Sequence, residues 1–226
     1  MLYSYALKTA GELYGVSKYI EKAQNIKREI IKQAYNGEFF YDHAKRENGR
    51  LVVKSQITET CQYYAIFFEI VQGQEFNGFI QKMFNEFGVN KGVRQGVSPS
   101  NAFIGNFLRL ECLSRYGFKN KVYNESLNAF LYMAKRTGTL WENVTPSASC
   151  NHGFASYAAN LLIRACTGYL GFNVEKGVVQ FENDFYFKDN LFVKIPFNNG
   201  SITVEITKGE RKITSKEYKV EYKIIL

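Results

Sequence analysis

The sequence predicts a mostly α fold of helical hairpins followed by a small antiparallel β domain. Three observations carry this expectation. Apolar residues recur every three or four positions through residues 1–170, they alternate one by one after Gly171, and the connections between the helical runs are short and long in turn.

The helical runs cover residues 2–13, 19–35, 61–71, 76–87, 103–116, 122–133 and 154–169. Short links such as Tyr14-Gly-Val-Ser17 and Val71-Gln-Gly-Gln74 favour antiparallel neighbours. The longer links, 37–58, 88–100 and 137–151, fall between them. Tight turns at one end and long loops at the other are the plan of a helical-hairpin toroid, and the rim that collects the long loops is where function is expected. Thr58 and Ser100 each precede an apolar helix and are suited to N-cap it, which places Glu59, Gln62 and Asn101 at helix starts on that rim. Capping or a first-turn dipole interaction alone explains these residue types, and is the favoured reading over a ligand contact.

Beyond Gly171, Ile202, Val204 and Ile206 point one way and Thr203, Glu205 and Thr207 the other; Tyr218, Val220, Tyr222 and Ile224 repeat the pattern. Phe197-Asn-Asn-Gly200 and Lys208-Gly209-Glu210 read as turns between strands. Residues 171–226 are therefore expected to form a sandwich-like sheet unit of four or five strands, packed on the helical domain of residues 1–170 because so small a sheet buries little alone.

The composition, 46% hydrophobic and 16% aromatic with three prolines, excludes a disordered or low-complexity chain. A net charge of +8 attracts polyanions in general, but the lysines and arginines are scattered and no nucleic-acid-binding signature occurs, so nucleic acid is not an expected partner. The four cysteines have no C-x-x-C spacing and read as reduced core residues. With only His43 and His152 as imidazoles, neither a metal nor another cofactor is expected. No phosphate-cradling glycine motif is present. The first residues do not form a signal peptide and no apolar run approaches a membrane span, so the expected location is cytoplasmic, or periplasmic for part of a longer exported protein.

The most informative stretch is Gly138-Thr139-Leu140-Trp141-Glu142, followed ten residues after the glutamate by Asn151-His152-Gly153. An aromatic face beside an acid suits a pyranose ring, one for stacking and the other for hydroxyl contacts or proton transfer, and Trp141 is the single tryptophan. By residue type alone, Glu142 also reads as a loop carboxylate and His152 as a helix-start residue.

The run Arg136-Thr-Gly-Thr-Leu-Trp-Glu142, with Ser149-Cys-Asn-His-Gly-Phe-Ala-Ser156 after it, resembles the late barrel segment of bacterial α-L-rhamnosidases, glycoside hydrolase family 78. Gly37-Glu-Phe-Phe-Tyr-Asp42, Thr58-Glu-Thr-Cys-Gln-Tyr-Tyr64 and Ser100-Asn-Ala-Phe-Ile-Gly-Asn106 resemble the same family in the same order. The resemblance implies part of an (α/α)6 barrel beginning about halfway round, followed by a β domain. It implies inverting hydrolysis of terminal rhamnosides, with Glu142 as general base, and Trp141, His152, Asn151, Glu59 and Gln62 as substrate contacts. The family's general acid lies on the upstream half, so the chain is expected to be an incomplete enzyme, nearly inactive alone. The alternative is a non-catalytic sugar-binding or scaffold protein of the same fold. In either case a carbohydrate is the expected ligand, and uncovered hairpin faces imply a homodimer or a complementary barrel half.

Overall fold

A computed structural model describes residues 1–89, 91–101 and 103–223. Helical hairpins come first and β structure follows, and the chain divides into two compact units, Met1–Cys112 with Trp141–Asn151, and Leu113–Leu140 with His152–Leu226.

The first unit opens with a hairpin of α1 (Leu2–Tyr14) and α2 (Ser17–Ala34). Gly15, at φ 68°, ends α1 in the left-handed conformation and returns its N–H to Gly11 O. A Cβ on Gly11 would lie 2.6 Å from Ile20 Cγ1, so the glycine permits the close crossing of the two helices, and the buried Ser4 hydroxyl donates to Ala23 O at 2.8 Å. The long link that follows contains a hairpin, β1 (Ala44–Glu47) and β2 (Arg50–Val53), that the alternation did not reveal. Its turn is Asn48-Gly49, both with positive φ, a dipeptide that favours the type I′ turn of two-residue hairpins. Both strands are largely exposed, so no apolar alternation marks them.

Next come α3 (Glu59–Phe67), α4 (Asn77–Glu86) and α5 (Ile104–Arg115). The Thr58 side chain caps α3 as expected, accepting from Cys61 N at 3.2 Å. At the start of α5 the expected cap on Ser100 is corrected: Asn101 Oδ1 accepts from Gly105 N at 2.7 Å. The core of this unit is aromatic, with Phe39, Phe40, Tyr63, Phe84 and Phe87 all buried, and Phe39 meeting Phe87 edge to face.

A buried arginine organises that core. Arg109, 1% exposed, donates to Met83 O at 2.8 Å and Phe84 O at 3.1 Å, carbonyls near the end of α4, and to Tyr63 Oη at 2.9 Å. Tyr63 Oη in turn donates to Glu59 Oε2 at 2.8 Å. Gly88, at φ 115°, lies against the guanidinium, and a Cβ there would fall 2.5 Å from Arg109 Cζ.

In the second unit, α6 (Lys119–Ser126) runs through a π turn at Leu127–Leu131 into α7 (Tyr132–Thr137), and α8 (Tyr157–Thr167) follows a short 3-10 turn. Among the described residues six strands form two sheets. The first holds β3 (Tyr169–Asn173), β4 (Val178–Glu182) and β8 (Lys219–Lys223); the second holds β5 (Leu191–Phe197), β6 (Gly200–Thr207) and β7 (Glu210–Ser215). Ile202, Val204 and Ile206 point into a common core with Val179, Phe181 and Phe185, as the alternation predicts. Lys208-Gly209 makes the β6–β7 turn and Asn198-Asn199 the β5–β6 turn.

β4 and β8 pair in parallel, because β5–β7 intervene as a long crossover, so one parallel pairing joins the otherwise antiparallel ladders of the β part. Ile163 of α8 packs against the sheet core and Arg211 donates to Thr167 O at 2.7 Å, which ties that helix to the strands within the second unit. Ile224, expected in the last strand, lies outside the described residues.

Gly88→Ala combines a strained φ with a clash against a fixed guanidinium, and is expected to cost about 2 kcal/mol or more. Gly15→Ala has a similar φ but nothing within 4 Å of the added carbon, and should cost about 1 kcal/mol. Urea denaturation followed by circular dichroism checks the difference; equal losses would mean that the guanidinium yields.

Candidate functional site

The Trp141–Asn151 segment belongs to the first unit and is closed by Glu142 N–H donating to Ser149 O at 2.9 Å. Within it Ser147 N–H donates to Thr145 O at 2.8 Å, and the Thr145 and Ser147 hydroxyls lie 3.0 Å apart. This leaves a short polar loop whose stem carries Glu142 on one side and Asn151 on the other. Asn151 is exposed and Glu142 half-buried. The Glu142 carboxylate makes no hydrogen bond or ion pair with the described residues.

Trp141 is fully buried, so its indole offers no face to solvent and anchors the start of the loop. Glu59 and Gln62 differ in the same way from the expectation of a rim position. Gln62 is fully buried: its Oε1 accepts from Phe40 N at 2.7 Å, and its Nε2 donates to Phe40 O and Thr58 O, each at 2.9 Å. Glu59, 1% exposed, accepts from Tyr63. Both side chains serve the interior at the start of α3. Asp42 is also engaged, its Oδ1 accepting from Thr58 N at 2.9 Å and Thr58 Oγ1 at 3.0 Å. Glu59 and Tyr63 are one helical turn apart, but Arg109 lies 46 residues beyond Tyr63, a separation that local spacing does not bridge.

His152 belongs to the second unit. Its N–H donates to Leu140 O at 2.8 Å, its carbonyl accepts from Ala155 N at 3.0 Å, and it opens the 3-10 turn Gly153–Ser156 that leads into α8. The imidazole is half-buried.

Burial is the largest cause of the shifts at Tyr63, Cys61 and Cys166. It raises the Tyr63 hydroxyl well above its ordinary value, against the opposing Arg109 charge. The Cys61 thiol is pushed up to about 12 by burial first and the Asp42 carboxylate second, and burial raises Cys166 to about 11. All four cysteines are free thiols. Among the described residues no group of three or more His, Cys, Asp or Glu side chains gathers to hold a metal ion, and no helix is long and apolar enough to cross a membrane.

The architecture is one of helical hairpins followed by a β domain. A crystal structure described as a GH78 family rhamnosidase of Bacillus sp. GL1 superposes on this chain with a TM-score of 0.72 at 14% identity, covering 98% of this chain and 25% of that one. The chain thus spans a quarter of that protein's length, and the likeness is one of fold. No protein-family model matches the chain, and no curated protein matches it in sequence.

Folding holds the Cys61 and Cys166 protons, whereas the unfolded thiols ionise near their ordinary value of 9.0. Their contribution to stability is therefore complete below pH 9 and is lost as pH rises through about 11 to 12. Denaturation midpoints measured from pH 7 to 11 should fall above pH 9, and Cys61→Ala with Cys166→Ala should flatten part of that fall.

Proposed function

We propose that the chain is part of a glycoside hydrolase acting on terminal α-L-rhamnosides with inversion, and that Glu142 is its general base. The observation that carries this reading is the half-buried Glu142 carboxylate, which has no hydrogen-bond or ion-pair partner among the described residues, on a loop whose neighbouring polar groups are bonded to one another. Asp42 and Glu59, the other acids at the loop-to-helix transitions, are engaged by Thr58 and Tyr63. The fold likeness to a protein described as a rhamnosidase supports the choice of substrate class.

In this reading Glu142 accepts a proton from a water that attacks the anomeric carbon on the face opposite the leaving group. Asn151 contacts sugar hydroxyls from the exposed end of the same loop, and the role of His152 as a sugar contact is carried over from the family resemblance alone. Trp141, Glu59 and Gln62 act from beneath: the indole supports the loop that presents Glu142, and Gln62 fixes the Phe40 backbone at the start of α3. No acid of this chain is assigned the protonation of the leaving oxygen, a step worth typically 10²- to 10⁴-fold in rate.

A substrate with a nitrophenolate leaving group needs little of that assistance, so 4-nitrophenyl α-L-rhamnoside is the suitable probe. The purified chain should release nitrophenol slowly, and Glu142→Gln should lower that rate by about 10²-fold or more. An unchanged rate in Glu142→Gln would overturn the assignment. Saturable rhamnose binding without any hydrolysis would favour the sugar-binding alternative.

A further inference from the structure

We propose that the hairpin of β1 and β2 is a docking surface for an acidic polysaccharide, a chain of sugar acids that lies along the ribbon. Residues 44–54 hold four basic side chains, Lys45, Arg46, Arg50 and Lys54, against the single carboxylate of Glu47. Every residue from Lys45 to Val53 is exposed, and among the described strands β1 and β2 pair only with each other. So small a ribbon buries too little for packing to account for its sequence.

The register sorts these charges onto two faces. Lys45 opposite Val52 and Glu47 opposite Arg50 share one face, and Arg46 opposite Leu51 and Ala44 opposite Val53 share the other. The Glu47 carboxylate forms an ion pair with Lys54 Nζ, and Arg46 Nη1 donates to Gly49 O at 3.0 Å. Lys45, Arg46 and Arg50 form no ion pair with the described residues. Asp42, the next acid along the chain, is turned to Thr58. One carboxylate among four cations leaves the ribbon with a net positive charge on an open surface.

The spacing of the cations selects the form of the anion. Lys45 and Arg50 are diagonal neighbours on one face, about 7 to 8 Å apart at their Cα atoms. Two cations so separated on an exposed ribbon do not converge on one small anion; they suit successive charges of a polymer. Each also lies beside apolar surface, with exposed Val52 across from Lys45 and exposed Leu51 across from Arg46. Charge thus adjoins aliphatic area, as the carboxylate of a sugar acid adjoins the C–H face of its ring. Nucleic acid suits the ribbon less, because single strands bind by stacking bases on aromatic rings and residues 44–54 contain none. That the polyanion is a glycan rests on the glycosidase reading above.

Titration calorimetry of the full chain with polygalacturonate at low salt tests the surface. Binding should saturate, and the fully methyl-esterified polymer, which lacks the charges, should not bind. Lys45→Gln, Arg46→Gln and Arg50→Gln combined should weaken binding by about tenfold or more, while Lys45→Arg with Arg50→Lys should retain it. The same loss of charge at exposed positions elsewhere, Lys18→Gln, Lys32→Gln and Lys194→Gln combined, should weaken it by less than about threefold. Glu142→Gln should bind the polymer as the wild type does, and the ribbon variant should hydrolyse 4-nitrophenyl α-L-rhamnoside unchanged, so the surface and the general base stand or fall separately. The proposal is overturned if polygalacturonate does not saturate, if the two triple variants bind alike, if the methyl ester binds as tightly, or if duplex DNA binds more tightly than polygalacturonate.

Discussion

A guanidinium laid against the last carbonyls of a helix, beside a glycine that leaves room for it, closes the core of each unit. Arg109 does this at the end of α4 with Gly88, and Arg211 at the end of α8 with Gly168, where a Cβ would fall 2.6 Å from Arg211 Nη1. Burying such a charge is costly, and the cost is offset only when its donors are matched. Arg109 meets the carbonyls of Met83 and Phe84 and the Tyr63 hydroxyl, with the Glu59 carboxylate one hydrogen bond further on. Arg211 meets the carbonyls of Thr167 and Glu182 and lies over Phe185 at 4.7 Å. Both use the negative end of a helix dipole, and both need the planar fork that lysine lacks. The consequence for Glu59 is direct: its Oε2 is committed to Tyr63 and the side chain is buried.

The helices were legible because their periodicity is set by burial, and burial is what the apolar spacing records. Each predicted run coincides with a helix, give or take an end, and the Ile202–Val204–Ile206 alternation marks the buried face of β6. The hairpin of β1 and β2 was missed for the complementary reason: its faces are exposed, so only the Asn48-Gly49 turn could have announced it. The parallel pairing of β4 with β8 was invisible because strand pattern fixes which face is buried but not which neighbour lies alongside. Likewise, periodicity finds where α8 ends but not that its packing joins it to the sheets.

The candidate site was legible by residue type and order, and less so by orientation. Residue type marks Glu59 and Gln62 as first-turn residues of α3, and they are, but the first turn of a helix has an inner and an outer side. Gln62 faces inward because its amide satisfies both polar groups of the buried Phe40 backbone, which would otherwise be left unpaired. Trp141 is buried for its area, and a lone tryptophan beside an acid carries no sign of which face is covered.

Fold likeness at 14% identity indicates how little sequence this architecture requires. Helical spacing, glycines at the helix ends and a few matched buried polar groups are enough to specify it, and none of these is chemistry. Activity must therefore rest on groups the fold does not consume. Of the acids considered around the loop-to-helix transitions, Asp42 holds the Thr58 cap and Glu59 holds Tyr63, so each has a structural duty that explains its presence. Glu142 has none: its backbone closes the loop while its carboxylate takes no part in that closure. A half-buried acid with no partner among the described residues contributes little to stability, and that asymmetry makes it the residue on which a catalytic reading turns.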